Sequence, residues 1–159
     1  MNIIGEVKSI GTVGYTIEYK DGRKVAGNSL RNTVLDTGKA GMANTLGNFV
    51  TGNNPYFITR MIWGNGGTLG GTPKYVDAGR DGLFGITQLI KPVIASLDSV
   101  ITTQVVFTSV MLFDDINGAT INEMALQMST GDLYSMVTFG DLIKTSDMQI
   151  TWNWTISMI

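Results

Sequence analysis

From Met148 to Met158 apolar and polar side chains alternate without a break, which puts Ile150, Trp152, Trp154, Ile156 and Met158 on one face and Thr151, Asn153, Thr155 and Ser157 on the other. That period of two is the mark of a half-buried β-strand. Two tryptophans on one face need a deep partner surface. At roughly 200 Å² buried per ring and about 25 cal/mol per Å², the pair supplies on the order of 10 kcal/mol of gross stabilisation before entropy is subtracted. The pattern therefore predicts a central strand with both rings in the sheet interior.

The same reading finds a hairpin over Ile3–Ala26, with Asp21-Gly22 as its turn and Asn28–Asn32 as the way out. One helix is predicted, over Lys39–Val50, capped by Asp36 or Thr37, with Ala40, Ala43, Leu46, Gly47 and Val50 as its buried stripe. Strands follow at Tyr56–Trp63, Ile86–Ala95, Val100–Phe113, Ala119–Met128 and Leu133–Phe139, with Pro92 assigning the second of these to an edge or a bulge. Gly64–Pro73 reads as a glycine-rich loop and Tyr75–Phe84 as an irregular excursion across a sheet. Many strands with short turns, one early helix and no βαβ alternation predict a mainly β fold: an antiparallel β-sandwich or jelly-roll-like barrel with one short helix and an N-terminal β-hairpin. The 159 residues fit a single domain, with 1–32 as a hairpin arm.

Composition narrows the chemistry. Cysteine and histidine are both absent, which removes thiolate and Ser-His nucleophiles and leaves a metal only oxygen ligands. Charged residues are 15% of the chain and the formal net charge is −2, against a usual charged quarter. So little charge favours burial against other subunits, and a homo-oligomer is expected. A pI near 4.9 argues against nucleic acid as a partner. No apolar run reaches membrane-spanning length, and Met1-Asn-Ile-Ile-Gly-Glu6 lacks a signal-peptide pattern, so no membrane partner and synthesis in a cytoplasm are expected. Lys20, Arg23, Lys24, Arg31 and Lys39 outnumber Asp21 and Asp36 and give the first quarter a mildly basic balance, suited to docking on an acidic protein surface.

Each motif with possible chemistry has a plainer reading. Gly64–Gly71 lacks the Lys-Ser/Thr ending of a phosphate loop and is followed by Pro73, so Gly64, Asn65, Gly66 and Gly67 are read as an adaptable contact loop. Asp114, Asp115, Asp132 and Asp141 begin or flank turns. Asp114-Asp-Ile-Asn-Gly118 resembles part of a calcium loop without its remaining spacing or its bidentate Glu. Glu123 differs, lying inside a strand on the face of Ile121 and Ala125, where it needs Arg60, Arg80 or Lys144 as an ion-pair partner. With an Asp it forms the one hydrolase candidate, and Trp63 beside the glycine loop is the best sugar platform.

Five features occur in order: Thr37-Gly-Lys-Ala-Gly-Met-Ala43, Ile62-Trp-Gly-Asn-Gly-Gly67, Asp77 with Arg80, Ile121-Asn-Glu-Met-Ala-Leu126 and Ile150-Thr-Trp-Asn-Trp-Thr-Ile156. Over Val34–Met158 this resembles a loose group of small virion structural proteins of tailed bacteriophages, found in head decoration, neck or tail. Where that group has Glu-X-Gly-Leu this chain has Glu123-Met-Ala-Leu126, and Ser135-Met-Val-Thr-Phe139 stands where an Ala-Arg pair belongs, which leaves Arg80 or Arg60 to pair with Glu123. The resemblance implies a structural protein without catalysis or cofactor, carried in the virion. Its expected partners are further copies of itself and the major capsid protein or other virion proteins.

Overall fold

A computed structural model describes residues 8–47 and 55–159. In chain order the elements are β1 (Ser9–Tyr19), β2 (Lys24–Ala26), β3 (Leu30–Arg31), β4 (Thr33–Val34), α1 (Asp36–Gly47), β5 (Ile58–Gly64), β6 (Thr68–Leu69) and β7 (Thr72–Pro73). Then come β8 (Thr87–Pro92), β9 (Ile94–Leu97), β10 (Gln104–Met111), β11 (Thr120–Met128), β12 (Leu133–Ile143) and β13 (Met148–Met158). Two antiparallel sheets face each other, ordered β2-β1-β13-β10-β9 and β4-β12-β11-β5-β8, with β3 also on β1 and β6-β7 as a separate small ribbon. This is the expected antiparallel sandwich.

The closing strand is central. β13 pairs with β1 along the whole length of both and with β10 on its other side. Trp152 and Trp154 are fully buried. Trp152 meets the rings of Tyr15, Phe139 and Trp63 at 4.7, 5.7 and 6.1 Å between centroids. Apolar side chains of both inner faces, among them Val13, Met61, Phe107, Met124, Leu126 and Ile156, complete this core.

The hairpin turn falls at Lys20–Arg23 as its Asp-Gly predicts, with the Tyr19 amide donating to the Arg23 carbonyl and Glu18 opposite Lys24. The part of the predicted hairpin over 3–7 lies outside the described residues. β1 is no detached arm, since Val13 and Ile17 are core residues and β13 pairs along its full length.

The helix begins three residues earlier than predicted and turns a different face inward. Ala40, Ala43 and Leu46 are exposed, whereas Gly38 and Gly41 are buried. A Cβ at Gly38 would collide with the Tyr134 carbonyl, and one at Gly41 with the Met128 sulfur. The helix thus packs backbone-close on its glycines, a face that hydrophobic periodicity cannot see. Val50, the last member of the predicted stripe, lies outside the described residues. Neither capping side chain does what was expected: the Asp36 carboxylate pairs with Lys39 at 2.8 Å, and the Thr37 hydroxyl donates to the Leu133 carbonyl.

Pro92 marks the point where the chain changes sheets. β8 edges one sheet, β9 edges the other, and between them the Val93 amide donates to Thr59 on β5. β11 is buried on both faces, because the 74–86 excursion covers the outer side of its sheet through Val76, Leu83 and Phe84. That cover creates the buried polar site.

Candidate functional site

Glu123 has no exposed surface. Its Oε1 accepts the amides of Gly66 and Gly85, both at 2.8 Å, and its Oε2 accepts the Phe84 amide at 2.7 Å. Three N–H dipoles therefore compensate the carboxylate where an arginine was expected. Among the described residues Glu123 makes no ion pair. Arg80 serves the same site from outside: its guanidinium donates to the Gly82 and Leu83 carbonyls at 3.1 Å and lies 3.7 Å over the Phe84 ring, holding the loop whose amides grip Glu123. Arg60 is exposed on β5, and Lys144 is buried in a different loop.

The glycine loop is stapled to the sheet. Gly64 and Gly67 are buried and Gly66 half-buried, which corrects their assignment to an adaptable contact surface; Asn65 is exposed and its Oδ1 accepts the Ile86 amide. At Gly66 a Cβ would enter the Gly85 backbone, and at Gly67 it would enter the Asn122 carbonyl. The glycines are needed there so that two backbones can approach each other and the acid. Beside them the Asn122 Oδ1 accepts the Gly67 amide at 2.6 Å, while its Nδ2 donates to Asp141 at 2.9 Å and to the Thr68 hydroxyl at 3.0 Å. The hydrogen bonds from Asn122 and then Thr68 hold the Asp141 carboxyl below the usual carboxylate range.

A third cluster lies where a partial calcium loop was noted. The fully buried Lys144 ammonium donates to the Phe113 carbonyl at 3.0 Å, to Asn117 Oδ1 at 3.0 Å and to the Thr145 carbonyl at 2.9 Å. A tethered cation occupies these three oxygens, and its three donors are all used. Burial lowers the Lys144 pKa, and the fields of Asp115, Asp114 and Asp147 oppose that shift. Asp115 ties the loop across to Lys91 at 2.6 Å. Ile116 sits at φ +39°, a backbone geometry costing about 1–3 kcal/mol that persists because its surroundings hold it. Among the described residues no group of three or more carboxylates is disposed to hold a metal.

At the centre of each cluster is a buried polar side chain, Glu123, Asn122 or Lys144, whose hydrogen bonds are spent on the chain itself, while Asp141 and Asn117 at the margins stay exposed. A general acid or base must reach a substrate proton within hydrogen-bonding distance, and Glu123 is sealed from any. Trp63 is fully buried against Trp152 and offers no sugar platform. The basic hairpin residues do face solvent, with Lys24 3.3 Å from Glu18, Arg23 3.6 Å from Asp21, and Lys20 over the Phe113 ring.

One large cavity, of about 760 Å³, opens where the sandwich ends beside α1. Met42, Leu46, Tyr56, Phe57, Ala95 and Phe107 are among its walls. Its hydroxyl-bearing lining residues are Thr45, Tyr56 and Tyr134; the Tyr134 hydroxyl donates to the Met42 sulfur and accepts from Ser9, and burial raises its pKa. No carboxylate or cation lies among the described lining residues. Sequence reasoning missed this cavity and the Lys144 cluster, and it had the Glu123 partners wrong. The one available signal was the coincidence of an in-strand acid with clusters of glycine at 64–67 and 82–85.

No family model, curated protein or solved structure matches the chain. No helix among the described residues is long and apolar enough to cross a membrane.

Proposed function

We propose that this chain is a non-enzymatic structural protein of a phage virion, a capsid cement or decoration protein that self-associates and binds the major capsid lattice. The observation that carries the reading is the saturation of Glu123: the one buried acid among the described residues is a fastener between two loops, with no surface toward a substrate. The motif resemblance supports the virion assignment. In this scheme the sandwich is the rigid body, and Lys20, Arg23 and Lys24 at the exposed hairpin tip supply a basic contact for an acidic capsid surface. Tail, neck or baseplate placement relies on the same physics and is the alternative. Cryo-electron microscopy of the virion whose genome encodes the chain decides between them. Density for the sandwich at symmetric sites on the head is expected; density confined to the tail overturns the cement reading, and absence from the particle overturns both.

A further inference from the structure

The four edges of the sandwich are not alike. Its β2 edge carries Lys24 and neighbours Arg23, Asp21 and Glu18, the usual charged guard against strand addition. On the second sheet, β4 is two residues long and β8 holds Lys91 and Pro92. β9 has no guard. Ile94, Ala95, Ser96 and Leu97 are all exposed and uncharged, and Val100 and Ile101, just beyond the strand in sequence, are exposed apolar residues as well. The charges nearest in sequence are both engaged internally: Lys91 with Asp115, and the Asp98 carboxylate with the Val100 and Ile101 amides at 2.8 Å.

The register fixes which backbone groups are open. Asp98 donates to the Gln104 carbonyl, and β9 continues in antiparallel pairing as Leu97↔Val105, Ser96↔Val106, Ala95↔Phe107 and Ile94↔Thr108. Hydrogen-bonded pairs alternate along such a ladder, so Asp98, Ser96 and Ile94 turn their N–H and C=O toward β10. Ala95 and Leu97 turn theirs outward, where they meet no partner among the described residues.

We infer that two copies of this chain pair β9 to β9, antiparallel, about a two-fold axis at Ser96. Ala95 of each copy then faces Leu97 of the other, and the two pairs exchange four N–H···O bonds. Residues opposite each other in a ladder share a face. Ala95 lies on the inner face with Phe107, beside the mouth of the 760 Å³ cavity. The partner's Leu97 is thereby laid over that mouth, next to Leu46 and Phe57, which are 90% and 58% exposed. A small residue opposite a large one, beside an open apolar cavity, is the complementarity a two-fold contact requires. With no charge on the strand, two copies approach without repulsion, and for the same reason the edge offers nothing to a charged partner. The pairing specifies the self-association in the proposed reading; its failure removes that part and leaves lattice binding standing, and absence of the chain from the virion leaves the pairing standing.

The chain has no cysteine, which makes the test direct. Residues on the axis form a non-hydrogen-bonded pair about 4.5 Å apart at Cα, within disulfide reach. Light scattering of the wild type is expected to give twice the 17.2 kDa chain mass. Ser96→Cys is expected to oxidise to a covalent dimer at least tenfold faster than Ser146→Cys, an exposed control position. Leu97→Lys, at a site 81% exposed, should keep the wild-type circular dichroism and melting profile while weakening dimerisation at least tenfold. A wild type that stays monomeric at 100-fold dilution series from about 1 mM overturns the inference. So does an oligomer that persists in Leu97→Lys, or cross-linking of Ser96→Cys no faster than the control.

Discussion

Glu123→Gln tests whether the buried acid is a fastener. Glutamine keeps the shape of glutamate but has a single acceptor oxygen. If that oxygen retains the Gly66 and Gly85 amides, the new NH₂ is turned against the Phe84 amide, donor to donor; the opposite orientation sacrifices two bonds and is worse. The better arrangement still loses one charge-assisted bond, worth about 1.5–3 kcal/mol, and strands a buried amide at roughly 1–3 kcal/mol, offset in part as the 82–85 loop moves away. A net loss of about 3 kcal/mol follows. For a domain of this size it lowers Tm by about 6–12 °C, at roughly 2–4 °C per kcal/mol. Urea unfolding should show a lower midpoint with an unchanged m-value, since the core surface exposed on unfolding is the same. Amide hydrogen exchange supplies the local readout: protection should fall first at Phe84, then at Gly66 and Gly85. A variant within about 0.5 kcal/mol of wild type, with Phe84 protection intact, refutes the reasoning, because the loops would then be held by something other than the carboxylate.

The remaining predictions concern the core and the other two clusters. Trp152→Ala should cost about 3–5 kcal/mol, and native fluorescence, arising from Trp63, Trp152 and Trp154 with no exposed surface, should be blue-shifted and unresponsive to iodide until unfolding. Lys144→Met leaves the Phe113 and Thr145 carbonyls and Asn117 Oδ1 without their donor and should destabilise by about 2–4 kcal/mol in denaturant titration. Its pH signature has a definite sign. With the folded-state pKa of Lys144 depressed, the unfolded chain binds the proton more tightly, so the stability of wild type relative to Lys144→Met should rise as pH climbs through the lowered value toward the ordinary lysine value of about 10.4. Asp141 behaves conversely at the acid end: its depressed pKa contributes stability that is present above about pH 3.9 and lost as pH falls through the lowered value, and Asp141→Asn should flatten that part of a melting-temperature profile.

Much of the fold was legible because strands announce themselves twice, by alternation and by their turns. β5, β10, β11, β12 and β13 lie within the predicted runs to within a few residues at each end, and the burial of Trp152 and Trp154 follows from the parity of one segment. The helix face was not legible. Gly38 and Gly41 carry no hydrophobic signal, and their role appears when the Tyr134 carbonyl is found against them. Glu123 was singled out correctly as an in-strand acid that burial would make costly. Its partners were missed because a residue-by-residue search pairs charge with charge, whereas the compensation here comes from backbone amides that every residue possesses. What distinguishes these amides is access, supplied by glycines at 64–67 and 82–85, eighteen residues apart in sequence and adjacent in space. Lys144 was illegible for a related reason: its acceptors are two carbonyls and an asparagine, and no spacing rule describes such a cage.

The low charge content bears on the bare β9 edge. The chain has 24 charged residues, 11 basic and 13 acidic, and the internal fasteners withdraw several of them from any role at a surface: Glu123 under the excursion, Lys144 inside its loop, and Lys91 with Asp115 across β8. Each withdrawal strengthens one loop and leaves less charge to guard a strand edge. On the β2 side enough remains; along β9 an apolar strip is left open to water. Such a strip costs the isolated molecule free energy that association recovers. Fold and association are nevertheless separable, since Ile94 and Leu97 are 76% and 81% exposed and lysine at both positions removes no core contact. A doubly substituted chain with the wild-type melting profile and monomeric mass would establish that separation; one that unfolded would mean that β9 depends on its partner strand to form at all.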